Sequence, residues 1–339
     1  MNFWQRSSTP SSLNKWIVPL GVVAAGLTFL TALLVGSTNI NIIEAISQVV
    51  RGDLDVEGRI LLSVRLPRAI AACLAGGALA VSGAIIQAVL NNAMASPSII
   101  GVNAGAGLGV TLLAALTPAA VTLIPAAAFV GATGACLLIY LIASCTRASR
   151  MTITLTGIAV SSLLTAMMSG VKALFPDTAY NLSSFSVGGL SGVRMSVLSV
   201  GGTAIAVGLA LAVILSRQLD ILSMGEETAH SLGMNVRITR LMMLILAGAL
   251  AGCAVSFAGL LGFIGLVVPH ILRRVVGDRH THLIPACALF GGAFVLVCDT
   301  LSRVMFAPYE LPVGILLSLV GAPCFILMIL SSGKKYDRS

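Results

Sequence analysis

Few residues in this 339-residue chain could make or break a bond, and their spacing argues against it. No GxxxxGKS or GxxxxGKT string is present to cradle a triphosphate, and no HExxH pair to hold zinc. The histidines are His230, His270, His280 and His282. The pair His280-Thr-His282 could bind a metal, but in a polar stretch it reads as a solvated loop. Seven cysteines stand singly inside apolar stretches with no CxxC, so they read as small packing residues.

Asp299 is an acid in an apolar run, by default a functional candidate. Arg303, at i+4, offers it an ion pair that fixes the helix instead. An intramembrane enzyme would need a second catalytic group beside Asp299. An ion-coupled carrier would need further buried acids. Neither is visible.

Two other polar groupings stand out. Arg65 and Arg68 bracket Leu66-Pro67 at the start of one apolar run, and Arg303 ends another. Such cations could anchor to headgroups, attract an anionic ligand or grip carboxylates on a partner. The second grouping is residues 219–233. Ser223 and Glu226 fit a capping box, and Gly233 suits a helix C′ position. A short helix of about ten residues is expected there, with Met224, Ala229 and Leu232 on an apolar face. Sharp caps and an apolar face make it a docking surface for a soluble partner.

The elements that position these groups follow from composition. Charged residues make up 9% and hydrophobic residues 57% of the chain. A soluble domain carries about 25% charged residues, so this chain is a polytopic membrane protein. The net charge of +8 does not point to nucleic acid, because the arginines lie in short clusters between apolar runs, where topogenic charges lie.

Residues 16–43, 69–146 and 241–272 carry no Asp, Glu, Lys or Arg. The second run divides at Asn91-Asn92 and at Thr117-Pro118, giving three helices. Further spans are expected at about 151–174, 195–216, 281–302 and 311–331. Residues 241–272 are long for one crossing and short for two. Arginines flank both ends, and Gly259, Gly262 and Gly265 could break the run, so two crossings are expected. The total is about ten helices, with both termini cytoplasmic. Cytoplasmic segments would then carry thirteen Lys or Arg residues and external segments six, as the positive-inside rule requires. Leu74-Ala-Gly-Gly-Ala-Leu-Ala80 is similar to Leu246-Ala-Gly-Ala-Leu-Ala251, which points to an inverted repeat of helices 2–5 and 7–10. The expected organisation is a tail at 1–15, one membrane domain at 16–332 with a cytoplasmic segment at 217–240, and a tail at 333–339.

Five strings then resemble one family in the right order. They are Arg65-Leu-Pro-Arg68, Gly76-Gly-Ala-Leu-Ala-Val-Ser-Gly83, Gly101-Val-Asn-Ala-Gly-Ala106, Gly262-Phe-Ile-Gly-Leu-Val-Val-Pro-His270 and Glu310-Leu-Pro-Val-Gly314. Together they resemble the FecCD permeases of type II ABC importers for ferric siderophores, haem and vitamin B12, over about residues 15–332. The resemblance implies an all-α fold of ten spans in the bacterial cytoplasmic (inner) membrane. It implies a second permease subunit, identical or paralogous, two cytoplasmic ATPase subunits and an external substrate-binding protein. An iron-siderophore complex is the expected cargo, with haem or cobalamin the alternative. No cofactor is expected on this chain; ATP and Mg²⁺ belong to the ATPase subunits.

By the same resemblance Arg65, Arg68 and Arg303 match binding-protein docking positions. Ser223, Met224, Gly225, Glu226, Ala229, Leu232 and Gly233 match the coupling segment that meets the ATPase. Asn92, Met94 and Ser149 match a cytoplasmic gate. Gly157, Ser161, Gly314 and Ser318 are expected along the path. The family often has Pro at Ala93 and Trp at Phe185; neither departure argues against transport.

Overall fold

The computed structural model describes residues 11–38, 40–52, 55–145, 150–307 and 309–336. Ser149, and the ends of the two tails at 1–10 and 337–339, lie outside the described residues.

The described residues form helices and no strand. In chain order the helices are α1 (Ser11–Leu34), α2 (Ile42–Arg51), α3 (Val56–Ile60), α4 (Leu66–Leu90), α5 (Val102–Leu116), α6 (Ile124–Cys145), α7 (Arg150–Leu174), α8 (Pro176–Asn181), α9 (Ser183–Val187), α10 (Met195–Ile214), α11 (Ser216–Ser223), α12 (Glu226–Ser231), α13 (Val236–Ala258), α14 (Ile264–Val276), α15 (His280–Val304) and α16 (Val313–Tyr336). A π-helical turn, Leu61–Arg65, joins α3 to α4.

The expected spans correspond to α1, α4, α5, α6, α7, α10, α13, α14, α15 and α16. Seven helical segments are long and apolar enough to cross a membrane, and Val102–Leu116 and Val313–Met328 are shorter apolar helices. α4 is the central helix: it is buried from Pro67 to Leu90 with few gaps, while most of α7 is exposed. Small residues make that burial possible, because apolar helices in lipid associate by close packing. A Cβ on Gly76 would stand 2.2 Å from the Gly291 carbonyl oxygen of α15, and one on Gly83 would stand 1.8 Å from that of Gly265 in α14.

The inverted repeat has a packing signature. In the repeated Leu-Ala-Gly string, Gly76 of α4 abuts Gly291 of α15. Its counterpart Gly248 of α13 abuts Cys136 of α6. Each repeat's first helix therefore uses the same glycine to reach the third helix of the opposite half.

The run at 241–272 divides at its glycines as expected, but the halves are unequal. α14 has 13 residues, about 20 Å of helix against a hydrocarbon core of about 30 Å. It begins within the bundle, where Gly265 meets the Leu79 carbonyl and Pro97. The non-helical stretch before it is satisfied by protein: the Leu260 amide donates to the Phe185 carbonyl at 3.0 Å, and Asn103 Nδ2 to the Leu261 carbonyl at 3.4 Å. Irregular backbone at this depth is tolerated only with such partners. α5, at 15 residues, is the matching short helix of the first half. A left-handed residue precedes each: Gly101 at φ 72° and Phe263 at φ 64°.

Candidate functional site

At one end of the bundle the arginines form a closed cluster. The Arg68 Nε donates to Asp299 Oδ1 at 3.0 Å and Oδ2 at 3.1 Å, and its Nη1 reaches Glu310 Oε2 at 2.5 Å. Arg303 Nε lies 3.2 Å from Asp299 Oδ2, which realises the i,i+4 pair expected from sequence. Arg303 Nη2 also donates to the Ala32 carbonyl at 3.2 Å. Arg65 closes the end of α1: Nη1 donates to the Leu33 and Leu34 carbonyls at 2.7 and 2.8 Å, and Nη2 to Thr38 at 2.6 Å. A cation there meets the unpaired carbonyls and negative end of that helix. The π-helical turn ending at Arg65 sits where such turns often mark function.

None of the three arginines stands as a free outward cation. Each is no more than 5% exposed. A guanidinium in apolar surroundings must be paired, and here the partners come from α1, α15 and the segment before α16. Glu310 is the reachable member of the cluster, with its side chain 29% exposed. Its Oε1 accepts from Ser37 Oγ at 2.7 Å. Burial raises the Glu310 pKa, but the hydrogen bonds from Arg68 and Ser37 and the two guanidinium charges outweigh it and hold the carboxyl below its ordinary value.

The segment at 219–233 differs from the single capped helix expected. It is two helices, α11 and α12, joined by Met224 and by Gly225 at φ 114°. The Ser223 hydroxyl donates to the Asp220 carbonyl at 2.7 Å rather than to a backbone amide of α12, so the capping box does not form. Gly225 adopts a backbone that side chains resist, and this decides the break. Gly233 does take the left-handed C′ conformation, at φ 79°, with the Met234 amide closing onto the Ala229 carbonyl. Met224 and Leu232 are 66% and 62% exposed, Ala229 is buried, and Glu226 pairs with Arg240 of α13.

Asn92 and Met94, the described residues expected at a gate, lie between α4 and α5. Asn91 ends α4 in the left-handed region. Asn92 Oδ1 accepts from the Met94 amide at 2.9 Å, and Met94 is exposed.

Of the four expected path residues, Ser161 borders open space. An open groove of about 500 Å³ lies along α7, where Ser98, Ser161, Ser162, Thr165 and Ser169 alternate with Ile99, Ile158 and Ala166. Gly157 and Gly314 are close contact points. A Cβ on Gly157 would stand 2.9 Å from the Ile99 carbonyl, and one on Gly314 2.0 Å from that of Val187. Both glycines seat a turn of chain, so their small size serves packing. Ser161 and Ser318 each donate back one helical turn, to Gly157 at 2.7 Å and Gly314 at 2.8 Å. These bonds satisfy the two hydroxyl donors within their own helices, α7 and α16.

His280 also differs from the solvated loop expected. It is the first residue of α15 and fully buried, and its Nδ1 lies 2.9 Å from Asp220 Oδ1. Nothing local in the sequence marks that pair, 60 positions apart. Among the described residues no group of His, Cys, Asp or Glu is arranged to hold a metal ion.

Family and structural likeness make this helical membrane bundle the permease of a type II ABC importer. Residues 24–331 match the FecCD transport family. The chain belongs to that family. It is 37% identical over 282 residues to the hemin transport system permease protein of Yersinia pestis, covering 81% of this chain and 84% of that one. It is 34% identical to an Fe(3+)-citrate import system permease protein of Bacillus subtilis, covering 96% of each. A cobalamin import system permease protein of Halobacterium salinarum is 38% identical, covering 79% and 72%. Among solved structures, an inward-facing metal-chelate type ABC transporter superposes with a TM-score of 0.83 at 25% identity, covering 94% of this chain and 99% of that one.

Proposed function

We propose that this chain carries ferric-siderophore cargo across the bacterial cytoplasmic membrane, with both termini cytoplasmic. Two cytoplasmic ATPase subunits, holding ATP and Mg²⁺, drive a pair of permease subunits. The observation that carries this reading is the polarity of the bundle. An exposed apolar knob (Met224, Leu232) stands beside the start of α15, and the arginine cluster stands near its other end. The knob suits a groove on a soluble ATPase. Motion of that partner would bias α7 and α16 between two arrangements that open the path to opposite sides, as differential affinity requires. Asn92 and Met94, in the turn between α4 and α5, would form the inner gate.

Docking of an external binding protein belongs at Arg65, Arg68 and Arg303. Arg68 and Arg303 face two carboxylates, Asp299 and Glu310, and Arg65 beside them is bound only to carbonyls, so the three arginines and two acids keep one net positive charge (3 − 2). An incoming carboxylate meets that charge, and Glu310 is the group it would displace. Replacing Glu310 by Gln should tighten docking; weaker docking would remove the assignment.

Ferric cargo is favoured because the relative spanning 96% of both chains is named for ferric citrate. Haem or cobalamin is the second reading, favoured by the names of relatives of similar identity. Reconstitution with the ATPase and binding protein, followed by ATP-dependent uptake of ferric siderophore, haem and cobalamin in parallel, separates them. Uptake driven by an ion gradient without ATP would sink the whole reading.

A further inference from the structure

Asp220 of α11 holds the first turn of α15 through its carboxylate. Its Oδ1 accepts from the His280 backbone amide at 2.6 Å and faces His280 Nδ1 at 2.9 Å. It therefore caps α15 from a separate helix, a task usually done by the residue just before a helix. The residue in that place, Arg279, makes no side-chain cap. His280 Nε2 is buried with no hydrogen-bond partner, so the arrangement that satisfies the ring is a neutral imidazole with its proton on Nδ1, donated to Asp220. Burial works against the Asp220 charge, but the bonds from the His280 ring and amide, with the Thr281 amide, outweigh it and hold its carboxyl below the ordinary range.

α15 then runs unbroken from His280 to Asp299 and Arg303. Nineteen residues (299 − 280) at 1.5 Å each separate the two carboxylate clamps by about 28 Å. Gly291 and Gly292 seat this rod against Gly76 and Cys73 of α4.

We propose that Asp220 is the positioning residue that couples the two ends of the transporter. It makes α11 and α15 move as one body, so displacement of the coupling segment reaches the Arg68–Asp299 pair. This rests on the reading that residues 219–233 meet the ATPase.

The test uses the complete transporter in proteoliposomes, reading cargo moved per ATP hydrolysed. In Asp220→Ala this ratio should fall about tenfold, the size expected for losing a charge-assisted hydrogen-bond pair. Asp220→Asn keeps the acceptor oxygen and should retain most of the ratio. An unchanged ratio in Asp220→Ala would overturn the proposal, as would an Asn variant as uncoupled as Ala. If Asp220→Ala does not assemble, the Asn variant decides: a wild-type ratio supports the hydrogen-bonded pin, and a collapsed ratio overturns it. Cross-linking of Met224→Cys to the ATPase, in an otherwise unaltered chain, reads the docking alone. Failed cross-linking would sink that reading, whereas cross-linking together with an unchanged Asp220→Ala ratio would sink the coupling role alone.

Discussion

Arg68 and Asp299 lie 231 positions apart in the chain, yet Arg68 Nη2 and Asp299 Oδ1 are 3.0 Å apart with both side chains buried. Arg303 reaches the same carboxylate from one turn further along α15. One acid thus holds two guanidiniums, and the start of α4 is locked to the end of α15. Removing one member of a buried pair leaves the other charge uncompensated, at a cost of about 3–5 kcal/mol. Asp299→Ala should lower the thermal midpoint of the purified chain sharply. Asp299→Asn should lower it less, and a paired Arg68→Leu, Asp299→Leu variant should lie closer to wild type than Asp299→Ala does. Equal midpoints for Asp299→Ala and wild type would refute the lock.

Two glycines in helix interiors should respond with opposite signs. Gly83→Ala drives a methyl into the Gly265 carbonyl, 1.8 Å away, and α4 cannot yield without moving α14. Overpacking of this kind costs about 1–3 kcal/mol. Gly134 of α6 has nothing within 4 Å of its would-be Cβ, so Gly134→Ala should stabilise by up to about 1 kcal/mol through helix propensity. Thermal unfolding in one detergent compares the two directly.

The groove along α7 supplies a transport-specific variant. Thr165→Phe fills it from an exposed position and breaks only a back-bond to the Ser161 carbonyl. Uptake should fall about tenfold, a barrier change of about 1.4 kcal/mol, while assembly and ATP hydrolysis persist. Wild-type uptake in this variant would place the path elsewhere.

Glu310 makes a pH-dependent contribution. Its carboxyl titrates below its ordinary value of 4.5, because its bonds to Arg68 and Ser37 favour the charged form over the penalty of burial. The stabilisation is therefore complete above that ordinary value and disappears as pH falls through the lower folded-state value. Wild type and Glu310→Gln should differ in thermal midpoint at neutral pH and converge in acid. A difference that grows on acidification would contradict the assignment.

What the sequence determined by itself is the membrane architecture. Transfer into a bilayer is a property of each segment against one solvent, so the charge-free runs and their arginine edges mark the spans without knowledge of neighbours. Local pairings were legible for the same reason: Asp299 with Arg303 at i+4, and Gly233 past the end of α12. Relations between distant segments waited on the tertiary structure. Arg68 finds Asp299, and Asp220 finds His280, only once α4 and α11 pack on α15. The failed capping box at Ser223 shows the limit even nearby, since the backbone at Gly225 turned the chain before the cap could close. Gly157 and Gly314 are expected along the path from sequence, and only the fold shows the carbonyls of Ile99 and Val187 packed against them. A residue's type tells which partners it needs; only the fold brings a particular partner within reach.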